Sequence, residues 1–468
     1  MKSKSIELLE EGSTIADALK SSNQEPYGIC FFKNIEGKLA ALFTDGDLRR
    51  LLIEKSDLNY KINKSDFKSF QFAIEGTPIK KMIEICNDKI KILPILDKKG
   101  FLIDYFIYQN KSSSIQISQP DILRGNELKY LIDAFNSTWI SSNGKYIKKF
   151  ETSFSNFVDC KYGVSTSNGT VAIQLALSAL GVGDGDEVIV PNITFAATIN
   201  AVLHCGATPV LAEVEEEFWT IDPESIKSNL SKKTRVIIPV HIYGQICNMD
   251  AICQIADQHG IHVVEDCAEA HGGMYSDKKV GSFGVISTFS FFGNKIITTG
   301  EGGMCSTNSD FYYKKMLLLR DHGMSLQKKY WHDVVGFNFR MTNLQAAIGC
   351  AQLEKIHDIL DRNSKIESRY KEIFKGKSIH WQSDKDPKRK RVVWIVTAMT
   401  NKRDLIIKKG ATLGIDIRRF FYPLNEMKIY KKYSKGEYLT SSKLSKCGFS
   451  LPTHHEVDFK KMSELIMN

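Results

Sequence analysis

Apolar residues follow two different rhythms along this chain. Over Thr170–Leu180 they fall at Ala172, Ile173, Leu175, Ala176 and Leu180, the three-and-four spacing of a helix that buries one broad face. Glu187–Val190, Arg235–Ile242 and Ile261–Glu265 are instead short apolar runs that read as strands covered on both sides. Asp250–His259, between the last two, has the helical rhythm again. Strands alternating with helices predict an α/β fold on a mostly parallel sheet. From about Gln345 a long helical stretch leads into a smaller mixed region, so a large domain should be followed by a small C-terminal lobe.

The chain ahead of Asn110 has a different texture. Ile15–Lys20 reads as a helix, and Gly28–Phe32 and Leu39–Phe43 read as strands. Thr44-Asp45-Gly46-Asp47 then opens a helix over Leu48–Ile53, with its carboxylates where a helix N-terminus favours them. A weaker copy follows: helical Pro78–Cys86, strand Ile92–Leu96, Gly100, and strand Phe101–Ile107. This repeat resembles a tandem pair of CBS (cystathionine-β-synthase-type) domains, a module that senses adenine nucleotides. The resemblance implies that Thr44 and Asp47 contact ribose and phosphate. The second copy has Tyr105–Tyr108 where the matching turn belongs, so a regulatory nucleotide and a purely packing role both stay open. Asn110-Lys111-Ser112-Ser113-Ser114 is a polar break of the kind that joins domains. The expected division is a CBS-like module over 1–114, a linker over 115–119, a large domain over 120–360 and a C-terminal lobe over 361–468.

Composition excludes more than it assigns. With 63 Lys+Arg against 54 Asp+Glu the net charge is +9 over 468 residues, too mild to indicate nucleic acid. No apolar run approaches the ~20 residues of a membrane span. Met1-Lys2-Ser3-Lys4 lacks a secretory apolar core. Ten cysteines lie far apart, from Cys30 to Cys447, with no CxxC pair and no metal-ligand spacing. They read as buried thiols of a reducing cytoplasm, and no metal is expected.

Three separated pieces carry candidate chemistry. Ser167-Asn168-Gly169-Thr170 opens a helix, and a glycine there lets backbone N–H groups and the helix dipole meet a phosphate. Asp266, in Val263-Val264-Glu265-Asp266-Cys267-Ala268-Glu269-Ala270-His271-Gly272, closes a strand at the edge where open α/β sheets bind ligands. Lys295 stands between the apolar Ser287–Phe292 and the glycine-rich Thr298–Gly303, with Ser290 five places before it. That setting suits a partly desolvated amine able to form a Schiff base. Taken singly, each has a bland reading: a capping turn, a turn acid, a surface lysine. In this order, they are what a pyridoxal phosphate site requires.

From about Pro120 to the C-terminus the chain resembles the nucleotide-sugar aminotransferases, the DegT/DnrJ/StrS type of the fold-type I pyridoxal-phosphate enzymes. The matching stretches are Ser167–Thr170, Val190–Thr198, His241–Gly244, Glu265–Gly272, Phe289–Gly303 and Gly336–Ala347. Ser137–Ser142, Phe291–Lys295 and Tyr330-Trp331-His332 look like the GDP-perosamine branch. The Gly293-Asn294-Lys295 run is also similar to the 4-aminotransferases of legionaminic-acid pathways.

The resemblance implies roles. Lys295 would hold pyridoxal phosphate covalently and, once released, move the proton. Asp266 would pair with the ring nitrogen. Gly169, Thr170 and Ser290 would hold the phosphate, Phe195 would stack on the ring, and Glu269 would sit beside the phenolic oxygen. Asn338 would reach the phosphate of a second subunit, so a homodimer with shared sites is expected. L-Glutamate would be the amino donor, leaving as 2-oxoglutarate, and a nucleotide-linked 4-keto-6-deoxyhexose, GDP- or UDP-linked, the acceptor. Two rival readings remain: a sugar 3-dehydratase, a branch with His in place of Lys295, and a nucleotide-sensing protein with a scaffold catalytic half. Ile417–Asn425 resembles a family segment that usually ends in Pro-Leu-His, so Asn425 puts that histidine's role in doubt. Lys388-Arg389-Lys390-Arg391 reads either as a steering patch for a nucleotide diphosphate or as a solvated loop.

Overall fold

A computed structural model of the protein describes residues 6–23, 28–86, 90–108, 114–325 and 327–465. Met1–Lys4, Asn110–Ser113 of the polar break, and Ile466 lie outside the described residues. The chain forms two compact units, Met1–Ser112 and Ser113–Asn468.

The second unit is built on a seven-stranded sheet. Its strands are β1 (Tyr162–Thr166), β2 (Glu187–Pro191), β3 (Thr208–Ala212), β4 (Thr234–Ile237), β5 (His262–Asp266), β6 (Ile286–Ser290) and β7 (Gly303–Thr307). Their order is β1-β7-β6-β5-β4-β2-β3. β7 runs antiparallel to both neighbours, and the other pairings are parallel. Successive side chains point to opposite faces. Val188, Val236, Val264 and Cys305 therefore enter one apolar layer, and Ile189, Ile237, Val263 and Met304 the other. Helices α1 (Gly169–Leu180) and α2 (Ala196–His204) cover the first layer, and α3 (Met249–His259) covers the second. Both faces are dry, which is why these strands read as continuous apolar runs.

The strand expected over Arg235–Ile242 stops at Ile237. Pro239 has no amide hydrogen to extend the ladder, and the chain then bends through Tyr243 at φ 52°. After the helix Ile356–Ile373, the C-terminal lobe holds four antiparallel strands: His380–Trp381, Val396–Met399, Gly448–Leu451 and Arg418–Arg419.

Residues 115–119 are not a free linker. The amide of Ile115 donates to the Gly414 carbonyl at 2.8 Å, and Asp416 donates back to the Ile115 carbonyl at 2.8 Å. Thr453 donates to the Ile117 carbonyl at 2.9 Å, and the Ile117 side chain is buried. Alternating Ile115 and Ile117 with paired backbone make this a strap laid on the C-terminal lobe. No helix among the described residues is long and apolar enough to cross a membrane, and all ten cysteines are free thiols.

The first unit repeats one pattern twice. Leu8–Glu10, Ile29–Lys33 and Leu39–Thr44 form a sheet with a parallel then an antiparallel pairing, and Ala73–Ile74, Ile92–Leu96 and Leu102–Ile107 pair the same way. Thr44 and Asp47 form a capping box on the helix Asp45–Lys55. The Thr44 hydroxyl donates to Asp47 at 2.6 Å, and Arg50 holds the other carboxylate oxygen at 2.9 Å. A nucleotide at this turn would have to displace those bonds.

A truncation separates the strap from the unit before it. Deleting residues 1–112 is expected to leave a folded, cofactor-binding catalytic unit. Deletion through Ile122 strips the strap from the C-terminal lobe and should lower the melting temperature by several degrees or cause aggregation, which thermal scanning of both variants reads directly.

Candidate active site

The carboxyl ends of β1, β2, β5 and β6 converge at one edge of the sheet. There the turn after β1 becomes the N-terminus of α1, where Asn168 caps by accepting from the Val171 amide at 3.0 Å. The amides of Gly169 and Thr170, in the first turn, have no acceptor within the helix and are free for an anion. Ser290 ends β6 against this turn. A Cβ on Gly169 would lie 2.7 Å from the Ser290 Cβ and 3.0 Å from its Oγ, so only glycine permits the approach. The glycine, the helix N-terminus and the serine hydroxyl thus share one cradle.

Asp266 ends β5 and is 5% exposed. One carboxylate oxygen accepts from the Thr198 hydroxyl at 2.9 Å and the other from the Ala268 amide at 3.2 Å. Thr198 in turn lies 3.1 Å from the Thr194 hydroxyl. Burial raises the Asp266 carboxyl above the usual carboxylate range, opposed by these hydrogen bonds and by the charge of Lys295. A cation placed against it would stabilise the ionised form. Its neighbour Glu265 points to the other face of the sheet. It accepts from the amides of Gly281, Phe283 and Gly284, from the Ser287 hydroxyl, and from His241. Saturated in this way, Glu265 supports the fold and is not a second reactive acid.

Lys295 lies in the turn after β6 with its side chain 11% exposed. Its amine donates to Glu269 Oε1 at 3.2 Å and stands 4.1 Å over the Trp394 ring. The second Glu269 oxygen accepts from the Tyr243 amide at 2.7 Å. Burial pushes the Glu269 carboxyl up, with Lys295 pulling it down. The Tyr243 ring stacks on Phe421, and Phe421 lies 5.8 Å from Phe195. Phe195 precedes α2 and leaves its ring 59% exposed at the mouth of the site, free to take a flat ligand ring. His271 packs among Phe154, Phe289 and Phe291, and burial lowers its imidazole to about 3, so it stays neutral.

Residues 121–467 match the DegT/DnrJ/EryC1/StrS aminotransferase family over most of the chain. The protein belongs to this family. It is 42% identical to the GDP-perosamine synthase of Vibrio cholerae across 72% of this chain and 94% of that enzyme. The aminotransferase from Psychrobacter cryohalolentis superposes with a TM-score of 0.70 at 31% identity, over 74% of this chain and 97% of that one. The PLP form of a putative sugar aminotransferase from Streptococcus pneumoniae superposes at 0.71 with 28% identity, over 75% and 97% of the two chains.

DegT/DnrJ/EryC1/StrS aminotransferases use pyridoxal phosphate, and the residues here fit it. The cradle of Gly169, Thr170 and Ser290 suits its phosphate. Buried Asp266 suits a protonated ring nitrogen, Phe195 offers a ring face, and Lys295 offers the amine. If the cradle holds the phosphate, Gly169→Ala should raise the Kd for pyridoxal phosphate about tenfold or more, since one lost hydrogen bond to a charged group costs about 1.5–3 kcal/mol. Equilibrium dialysis measures this, and an unchanged Kd would place the phosphate elsewhere.

Asn338 is exposed, and its side-chain oxygen accepts from Arg340 at 3.1 Å. No hydrogen bond joins it to the Lys295 group among the described residues. Asn425 and Asn192 exchange two amide hydrogen bonds, of 2.9 and 3.0 Å, where the family segment usually carries a histidine. The basic run is no steering patch. Arg389 is buried against Glu215 and stacks on Phe218, Arg391 is held by Glu367 and Asp384, and Lys388 and Lys390 pair with Asp250 and Asp277. Three neighbours of the site escaped sequence reasoning: Thr198, Tyr243 and Trp394. Thr198 and Tyr243 lie inside family-like stretches, whereas nothing in Val392-Val393-Trp394 marks the indole.

Proposed function

We propose that this aminotransferase moves the amino group of L-glutamate to the 4-keto carbon of a GDP-linked 6-deoxyhexose, giving a 4-amino-4,6-dideoxy sugar nucleotide for surface polysaccharide. The observation that carries the reading is the buried Lys295 amine held between Glu269 and Trp394 beside buried Asp266, at the sheet edge that holds the phosphate cradle. The GDP-perosamine synthase of V. cholerae, matched over 94% of its length, supports the choice of sugar nucleotide.

Bound pyridoxal phosphate supplies an electron-withdrawing ring that stabilises negative charge at the carbon next to the transferred nitrogen. The protein's residues do the rest. Lys295 would present its amine to the carbonyl carbon of the cofactor and, when displaced by substrate, is the base placed to carry a proton between the amino-acid Cα and that cofactor carbon. Asp266 holds the proton on the ring nitrogen, and Thr198 fixes the carboxylate that does so. Glu269 orients Lys295 and would take the place beside the cofactor's phenolic oxygen. Its high proton affinity lets it share a proton there. Gly169, Thr170 and Ser290 anchor the phosphate so that the reacting carbon stays within reach.

Spectroscopy tests the reading in two steps. L-Glutamate should bleach the visible band of the loaded enzyme, and of a panel of GDP-, UDP- and dTDP-linked 4-keto-6-deoxy sugars the GDP-linked one should restore it fastest. Recovery only with a UDP-linked sugar would overturn the assignment of the base.

Asn338 is proposed to reach the phosphate in the partner's site, making a dimer the smallest active unit. Mixing inactive Lys295→Ala with an inactive Asn338→Ala variant should then restore up to about a quarter of wild-type activity, because a heterodimer carries both lesions in one site and none in the other. Demonstrated subunit exchange without recovery would remove Asn338 from the shared site.

A further inference from the structure

Trp394 makes two contacts with consecutive residues. Its ring face lies 4.1 Å beneath the Lys295 amine, and its indole Nε1–H donates to the Asn294 carbonyl at 2.6 Å. One buried side chain thus grips both the backbone ahead of the reactive lysine and the amine itself. The indole is placed in turn by Asn363, whose side-chain amide donates to the Val393 carbonyl at 3.0 Å.

Behind this group is a cavity of about 20 Å³. That is room for one water. Asn294, Lys295 and Trp394 contribute to its lining on the reactive side, and Asp121, Arg362 and Asn363 contribute from the strap end and the helix Ile356–Ile373. Three side-chain atoms around it are buried without a hydrogen-bond partner among the described residues, Asn294 Oδ1, Arg362 Nε and Asn363 Oδ1, whereas Asp121 Oδ1 faces Arg124 at 3.6 Å and Lys355 at 3.8 Å. Buried polar groups left in that condition are costly, typically about 1–3 kcal/mol each. Two acceptors and one donor around a space of this size are complementary to a single water, which can donate two bonds and accept one. A cation fits worse, because Arg362 and Lys355 already pair with Asp121.

We propose that Trp394 is a positioning residue for Lys295 and that one water, bound among Asn294, Arg362 and Asn363, holds the floor on which it acts. The inference rests on Lys295 being the cofactor-binding lysine. Trp394 keeps the amine on the side facing the cofactor's carbonyl carbon. The water ties the Asn294 side chain to the helix behind it. Neither residue touches the reacting atoms; both act through Lys295.

Cofactor-free protein mixed with pyridoxal phosphate gives the decisive readout, the rate at which the lysine-bound absorption band grows. Trp394→Phe keeps the ring face and loses the donor, so the rate should fall about tenfold. Trp394→Leu loses both and should fall about a hundredfold. Asn363→Leu, which fills the cavity and excludes the water, should fall about tenfold, whereas Asn363→Ser leaves space and a hydroxyl and should recover most of the rate. In the steady state, kcat should fall in the same order with KM for glutamate within about threefold of wild type. Phosphate-anchored binding of pyridoxamine phosphate, measured by calorimetry, should be unchanged and reports that each variant is folded. A folded Trp394→Leu variant with a wild-type rate would overturn the positioning role. A change confined to KM would overturn it as well. A dry chamber in a crystal structure that resolves other buried waters would overturn the water. Failure of the wild-type protein to form the band at all would instead strike the assignment of Lys295.

Discussion

Lys295→Ala is expected to abolish turnover and the visible absorption of the bound cofactor together. The amine is buried at the sheet edge, held by Glu269 at 3.2 Å and by the Trp394 face. Losing it removes both the covalent attachment and the proton carrier, and such losses commonly reach a millionfold in kcat, so activity should fall below detection. Lys295→Arg should fail as completely, because guanidinium keeps its proton at every working pH and offers no nucleophilic lone pair. Pyridoxamine phosphate should still bind both variants, since the proposed phosphate cradle of Gly169, Thr170 and Ser290 does not include Lys295. Steady-state turnover surviving in either variant would assign the chemistry to another group.

Asp266→Asn should separate cofactor binding from catalysis. The substitution preserves an acceptor for Thr198 but removes the charge that holds a proton on the ring nitrogen. Burial already raises the proton affinity of Asp266, so a cation against it favours its ionised form, and a protonated ring nitrogen would be that cation. If the ring nitrogen loses two pKa units of support, about 2.7 kcal/mol of stabilisation goes with it, or about a hundredfold in rate. Cofactor affinity should change far less. Stopped-flow measurement of the glutamate-driven bleach would show this, and a near-normal bleach rate would mean that ring protonation is controlled elsewhere. The Lys295 and Asp266 results are independent: one removes the nucleophile, the other removes the partner of the ring.

Legibility in the sequence tracked how local each feature is. The strands were visible through short apolar stretches, Val188-Ile189-Val190 in β2 and Val263-Val264 in β5, because both faces of the sheet are dry, although β6 carries Ser287, Thr288 and Ser290 among its five residues. Helix α1 was visible through its spacing, and its start moved by only one residue, to Gly169. The strand over Arg235–Ile242 was read too long because its apolar run continues past Pro239, where the ladder loses a donor. Residues 115–119 were read as a linker because a polar break precedes them. Their pairing with Gly414, Asp416 and Thr453 joins positions about three hundred apart, which no local pattern encodes. The basic run Lys388–Arg391 failed as a steering patch for the same reason: its partners, Glu215, Asp250, Asp277 and Glu367, come from distant segments.

What the sequence determined by itself was the class of fold and the reactive pieces, because a helix-opening glycine, a strand-ending acid and a lysine in a glycine-flanked turn each sit in short, locally dictated structure. Only the tertiary structure decided how those pieces are held. Gly169 meets Ser290, Thr198 meets Asp266, and Trp394 meets Lys295 across separations of 121, 68 and 99 residues. Those contacts follow from the order in which parallel strands are laid side by side and from where the C-terminal lobe closes over the sheet edge. Hydrophobic periodicity records which face of an element is buried; it does not record which distant element buries it.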